Sequence, residues 1–582
     1  MHPEGFEEIT NNCDIASYLF KFLNFSDQLR LSRVNRQLQN IFEQLVWKEK
    51  YQAMTITEDE DANYVVLGSV GTSPLILEQE EFQEFMNYYA QNVQELCVKH
   101  IRVIEINDVM WEFPNLHKIQ YERVRMPMTH LRLLGKKCPN LEEVEFLRCS
   151  FGTSLNVEIG KLPSIKSLAK IRKLKKLSVE NSRRSGHITY KIFNQVVRRL
   201  RLEKLKLGDF IKPEGDKAKK LKSTLVDLKE LYVGVSLDPE QWLPKAYRGV
   251  LMNFQNLQSL TINCTQRVHE LNEADLLAVA KTCQNLQVLK IANSYFRNIK
   301  YFSLPPNLKE FTLEYCRNLN CDNLKQLLVD LKCSKFCSVG TCYEGQLQEF
   351  EISPFIEILN IDYVATRKLK SQNLKQLTWY DDPETVQKTS YDNYSTDISK
   401  NLQCLHIKSG ILPLETILKL EYLQTLTIGE SMTNFNWSYF MALLKHSSLR
   451  NLSIDGPRYR SLLCERSDTP AEGCTTQIKN IKISLPTFRN ALDFWLDLFQ
   501  QNVQLTLTCN HFINFEEFLR QLLDNENFPS NMRTIEIWDI SLNCYKLRRN
   551  FDYMMNKFMY DVSFIRSEYE SDGDLYCLRL QR

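Results

Sequence analysis

The sequence predicts an α/β solenoid: a curved parallel sheet of about 17 strand-and-helix repeats, preceded by a small three-helix domain. Three observations carry this. The pattern L-x-x-L-x-L recurs from Leu116 to Met532 at a mean spacing of about 26 residues. Its fourth and sixth positions are apolar and alternate with polar residues, as in a strand with one buried face. The first fifty residues follow helical spacing instead. The expected boundaries are 1–52 for the helical domain, 53–92 for a linker and N-terminal cap, 93–545 for the solenoid and 546–582 for a C-terminal cap.

In the N-terminal domain, Ile15, Leu19, Phe22 and Leu23 fall on one helical face. Ser26-Asp27 reads as a cap for a second helix, which carries Leu29, Leu31 and Val34. Leu38, Ile41, Phe42 and Leu45 form a third stripe. Three helices in so short a span bury little alone, so their apolar surface is expected to meet a partner. A helical cap on the solenoid is the plainer alternative.

The clearest strand patterns are Leu141-Val144-Phe146, Leu174-Leu177-Val179, Leu202-Leu205-Leu207, Leu228-Leu231-Val233, Leu257-Leu260-Ile262 and Leu286-Leu289-Ile291. They continue through Leu308, Ile356, Leu374, Leu402, Leu423, Leu449 and Ile478, with weaker copies at Leu116, Cys333 and Asn502. Asn precedes the first leucine at Asn115, Asn140, Asn256, Asn285, Asn307, Asn373 and Asn401. Helices are expected over Ala274–Lys281 and Leu324–Leu331. One such unit cannot bury its own apolar side, so neighbours must stack. The pattern resembles leucine-rich repeats, and in part their cysteine-containing subtype. Lys137-Cys138-Pro-Asn-Leu141 with Cys149, Thr282-Cys283-Gln-Asn-Leu286 and Tyr315-Cys316 carry that likeness.

Cys13 to Gln52 resembles an F-box. The matching residues are Leu23, Asp27, Leu29, Leu31, Val34, Asn35, Arg36, Leu45, Trp47, Lys48 and Tyr51. The family's opening Leu-Pro is absent, and Asn11-Asn12-Cys13 stands near its place. The resemblance implies a substrate receptor of a Skp–cullin–F-box ubiquitin ligase. Leu19, Leu23, Leu29, Leu31, Val34 and Trp47 would then grip the Skp-type adaptor, and through it a cullin. The repeats would hold an unknown protein substrate at high effective concentration near the ubiquitin donor, and other subunits would do the chemistry.

In each strand the third, fifth and seventh positions are expected on the concave face. Candidate substrate contacts there are Lys176, Lys204, Lys206, Tyr232, Glu310, Glu314, Tyr380, His406 and Trp538, while Trp379, at a sixth position, belongs to the core. Charge is uneven. Between Lys161 and Lys222, 20 Lys and Arg face 5 Asp and Glu, although the whole chain is only +2. That stretch could dock an acidic substrate, touch nucleic acid or be a solvated surface; the last is the ordinary outcome. No aromatic residues interleave at stacking spacing with its runs Lys170–Lys176 and Lys217–Lys222, which weakens a single-strand nucleic-acid reading. The alternatives to a ligase receptor are therefore a leucine-rich-repeat scaffold that recruits no ligase, and a nucleic-acid-associated protein using residues 161–222.

Other chemistry is poorly supported. Cys316, Cys321, Cys333, Cys337 and Cys342 cluster without a CxxC pair or a nearby histidine, so buried thiols are expected rather than a metal. No phosphate-binding glycine loop, HExxH helix or GxSxG elbow occurs, so no enzyme and no cofactor is expected. Two polar insertions, Tyr380–Lys400 and Pro457–Gln477, are expected as loops on one side of the array. No apolar run is long enough to span a bilayer and the acidic start is unlike a secretory signal, so a cytoplasmic or nuclear protein is expected, away from membranes.

Overall fold

The computed structural model describes residues 12–23, 25–58, 64–68, 75–101, 112–126, 128–151, 168, 170–180, 188–189, 200–211, 227–235, 256–264, 270–297, 299–341, 343–344, 350–362, 369–380, 400–410, 414–432, 437–454, 476–484, 504–508, 534–539, 561–569 and 573–581. The chain divides into two compact units, Met1–Tyr295 with Ser303–Asn307, and Phe296–Phe302 with Leu308–Arg582.

The first unit begins with helices α1 (Cys13–Phe22), α2 (Phe25–Ser32) and α3 (Arg36–Ile41). The last continues through a wider turn, Phe42–Val46, into Trp47–Lys50. Asn12 caps α1 by accepting from the amides of Asp14 and Ile15, and Asn35 caps α3 by accepting from Leu38. Ser26 and Asp27 lie inside the first turn of α2 rather than ahead of it. Strand β1 (Ala53–Glu58) follows, with β2 (Tyr64–Gly68), β3 (Leu75–Glu78) and α4 (Gln79–Tyr89). β1 pairs antiparallel with β2, and β2 with β3.

On its other edge β1 pairs parallel with β4 (Glu95–Lys99). From there the ladder is wholly parallel: β5 (Lys118–Glu122), β6 (Glu143–Leu147), β7 (Lys176–Glu180), β8 (Lys204–Ile211), β9 (Glu230–Val235), β10 (Ser259–Cys264) and β11 (Val288–Ala292). β4 is a further repeat strand, ahead of the copy at Leu116. Its Val93, Leu96 and Val98 occupy the three core positions and are buried, with valine standing where leucine defines the other copies.

The second unit holds a like ladder: β12 (Glu310–Glu314), β13 (Lys335–Val339), β14 (Ile358–Asp362), β15 (Gln376–Tyr380), β16 (Cys404–Gly410), β17 (Thr425–Met432), β18 (Asn451–Ile454), β19 (Asn480–Ser484), β20 (Gln504–Thr508) and β21 (Thr534–Asp539). It ends in an antiparallel hairpin, β22 (Asp561–Tyr569) and β23 (Gly573–Gln581), with β23 lying against β21. A strand therefore stands at each of the seventeen predicted repeats. The architecture is a leucine-rich-repeat solenoid ladder.

Register explains the core. Fourth position faces fourth and sixth faces sixth, as in Leu205↔Leu231↔Leu260↔Leu289. Apolar side chains thus stack in continuous columns under the sheet, which one repeat could not supply. Among the described first, fourth and sixth positions the exception is Trp379. It is only half-buried, whereas Thr378 beside it is buried; the pairing of β15 with β16 is irregular at this point. Helices connect some repeats: α5 (Met128–Lys137), α6 (Glu273–Thr282) and α7 (Cys321–Asp330). Asn272 and Asn320 cap the last two in reciprocal boxes with Asp275 and Asn323.

Two devices bind several of the repeats to their neighbours. The asparagines ahead of the first leucine donate backwards: Asn115 Nδ2 to Gln91 O at 2.8 Å, Asn140 to Pro114 O at 2.7 Å, Asn307 to Gln284 O at 3.0 Å and Asn373 to Pro354 O at 2.9 Å. The residue just after a strand turns left-handed: His100, Arg123, Arg148, Asn293 and Tyr315 have φ of 51–52°, and Gly340 60°. That twist sends the amides of His100, Arg123, Arg148 and Tyr315 onward to the next strand's last carbonyl, at 3.0, 2.8, 3.2 and 2.8 Å. It also drops the following residue inward, burying Val124, Cys149, Ser294, Cys316 and Thr341.

Candidate functional site

Two surfaces compete for the role, the helical module and the sheet face. In the module, Phe20, Phe25, Phe42, Trp47 and Tyr51 close an aromatic core with Phe85 and Tyr89 of α4. Gln28 sits within it, accepting from the Tyr51 hydroxyl and donating to the Phe20 and Leu23 carbonyls. Burial pushes the Tyr51 phenol well above its usual range. With the core filled this way, the apolar residues left over are informative. Ile15, Tyr18, Leu19 and Phe22 line one side of α1 and are 40–69% exposed, with Val34 at 59% and Leu45 at 42%. Tyr18 and Phe22 meet edge to face at 4.8 Å.

The six expected adaptor contacts separate accordingly. Leu19 and Val34 are at the surface and Leu23 and Leu31 are half-buried. Leu29 and Trp47 point into the core, so they serve the module's packing and offer no surface. The exposed Ile15, Tyr18 and Phe22 were absent from that set; the helical stripe of Ile15, Leu19 and Phe22 was legible, but only burial tells which stripe faces out.

On the sheet face of the first unit, charges pair across strands. Lys176 meets Glu143 at 2.9 Å, Lys204 meets Glu230 at 3.0 Å and Lys206 meets Glu180. Lys118 reaches Glu143 at 3.3 Å and Glu145 at 3.8 Å, and Lys99 reaches Glu122 at 2.8 Å. Lys206 also lies 4.9 Å over the Tyr232 ring, whose hydroxyl accepts from Asn263 at 2.7 Å. Lys176, Lys204 and Lys206, all candidate substrate contacts, are thus each beside a glutamate of an adjacent strand. Much of the basic stretch 161–222 lies outside the described residues. Glu145 titrates high: burial and the neighbouring Glu143 outweigh Lys118. Glu143 titrates low, because Lys176 and Lys118 overcome its burial.

In the second unit Glu310 pairs with Lys335 at 2.9 Å, and Glu314 is half-buried. Further along, the face changes character. Thr378, His406, Thr427 and Ser453 share one row, and Cys404, Thr425, Asn451 and Asn480 another. Asn480 donates to Asn451 at 2.7 Å and Asn451 to Thr425 at 3.2 Å, an amide ladder. His406 Nε2 stands 3.0 Å from the Cys404 sulfur. Tyr380 and Trp538 lie on β15 and β21, with side chains outside the described set; the insertions 381–399 and 457–475 are outside it too.

Several of the described cysteines are buried packing groups. Burial drives Cys138 and Cys149 to about 12, and Cys283 and Cys333 to about 11. Cys316 and Cys321 are buried, Cys337 is half-buried, and Cys342 is outside the description. Among the described residues no cluster of His, Cys, Asp and Glu is placed to hold a metal ion, and no helix is long and apolar enough to cross a membrane.

The ladder defines a protein of the leucine-rich-repeat fold. No protein-family model matches the chain, and no curated protein does. Among solved structures it is similar to the Toll–Spatzle complex of Drosophila, with a TM-score of 0.34 and 13% identity over 78% of this chain and 63% of that one. The glycosylated form gives 0.31 and 11%, over 82% and 56%. This chain thus spans less than two thirds of either. The likeness is too distant to carry any argument, and the repeat assignment rests on the ladder itself.

Proposed function

We propose that the chain is the substrate-recognition subunit of a Skp–cullin–F-box ubiquitin ligase, acting in the cytoplasm or nucleus and catalysing nothing itself. One observation carries this reading. A module with a closed aromatic core still exposes Ile15, Tyr18, Leu19 and Phe22 along one helix, and exposes Val34 and Leu45 as well. Water is a poor solvent for such a stripe, so it suits a protein partner. The F-box resemblance supplies the partner's class, a Skp-type adaptor. The repeat face behind it, rich in charged and amide side chains, suits capture of a protein substrate.

The test is co-purification of the full chain with the adaptor. Replacing Leu19 and Phe22 by Asp should abolish it while the circular dichroism spectrum is unchanged, since both residues are already solvated. Adaptor recovery equal to that of the unaltered chain overturns the assignment and leaves a repeat scaffold without a ligase.

A further inference from the structure

In the first unit the sheet-face lysines Lys99, Lys118, Lys176, Lys204 and Lys206 each pair with a glutamate. Arg123 and Arg148 are exposed, and neither forms an ion pair among the described residues. They occupy the same place in adjacent repeats, the left-handed residue just past β5 and β6. His100 holds that place past β4. Adjacent strands put such neighbours about 5 Å apart. Left-handed backbone is a steric cost to an L-residue, and glycine or asparagine would carry less of it. Gly340 and Asn293 occupy this place elsewhere. Two consecutive arginines here accept that cost and keep two unneutralised guanidiniums on one edge.

We propose that Arg123 and Arg148 form a docking edge for an acidic segment of a partner protein, read through its carboxylates. Guanidinium forks match carboxylates bidentately. An extended peptide presents alternate side chains about 7 Å apart on one side. Arginine side chains are long enough to make up the difference from the strand spacing. The paired lysines add little, because an incoming carboxylate there would have to displace a resident glutamate. The proposal rests on the repeat face being a protein-binding surface, and is independent of adaptor recruitment.

The test uses the full chain and a fluorescein-labelled peptide alternating Glu and Ser, followed by anisotropy at low and physiological salt. Arg123→Asn with Arg148→Asn removes both charges and tolerates the left-handed backbone, so folding is preserved. This variant should bind about tenfold or more weakly and lose most of the salt dependence. A charge-neutral control, Lys204→Asn with Glu230→Gln, should bind as the unaltered chain does. Equal binding by the Asn variant, or equal weakening by the control, overturns the edge. Tighter arginine-dependent capture of a phosphoserine peptide or of an RNA oligonucleotide overturns the assignment to carboxylates. Adaptor co-purification measured on the same samples distinguishes failure here from failure of the ligase reading.

Discussion

Leu260 and Thr261 are neighbours in sequence and opposites in environment: one is buried in the fourth-position column, the other faces out. Leu260→Ala should cost about 2–5 kcal/mol in urea unfolding. Thr261→Ala should stay within about 0.5 kcal/mol; similar losses for both would refute the register. Glu145 offers a subtler test. Its carboxyl titrates high, so its contribution is present at acid pH and lost as pH rises through the folded value. Glu145→Gln should therefore raise the melting temperature at pH 7, and the gain should vanish as pH falls through the carboxylate range. Glu143, titrating low, works in the opposite sense, and Lys118 keeps it as a partner. Apolar periodicity made Leu260 legible from sequence. It could not reveal the pairing of Lys176 with Glu143, because partners 33 residues apart meet only once repeat register is known. Nor could it reveal the left-handed arginines, since nothing in an arginine codes for positive φ.

Elements of one kind were easier to foresee than others. The seventeen strands follow from period-two alternation, and α6 and α7 from their apolar stripes. β1 to β3 fall in the segment expected as a linker and cap, because short strands without the repeat signature leave little pattern. In the N-terminal module three helices were legible but their facing was not. Leu29 and Leu31 look like a surface pair in the motif, yet Leu29 is 6% exposed. Leu29→Asp should thus unfold the module and be uninformative about adaptor contact, whereas Leu19→Asp should leave its melting unchanged. The turn after β13 gives a sharper test. Gly340 is left-handed, and a methyl there would collide with the Tyr315 ring, which is half-exposed. Gly340→Ala should destabilise by about 1–3 kcal/mol in chemical unfolding, and Tyr315→Ala in the same chain should recover part of it by clearing the ring.

At the scale of the molecule, each unit meets the edge-strand problem with antiparallel pairing. β2 and β3 cover β1 in the first, and the hairpin β22–β23 covers β21 in the second. Removing residues 561–582 should uncover β21 and produce concentration-dependent self-association on size-exclusion chromatography; a monodisperse truncated chain would speak against the cap. The second position of consecutive repeats carries a further consequence. Glu142, Lys175, Glu203 and Lys229 alternate in sign, with Glu142–Lys175 and Glu203–Lys229 each joined at 3.0 Å. Excising the repeat that holds Lys175 would set Glu142 against Glu203, while excising the two that hold Lys175 and Glu203 would restore an attractive neighbour in Lys229. Loss of one repeat here would thus trade an ion pair for like charges, a change of about 1 kcal/mol at these half-exposed sites, and loss of two would not.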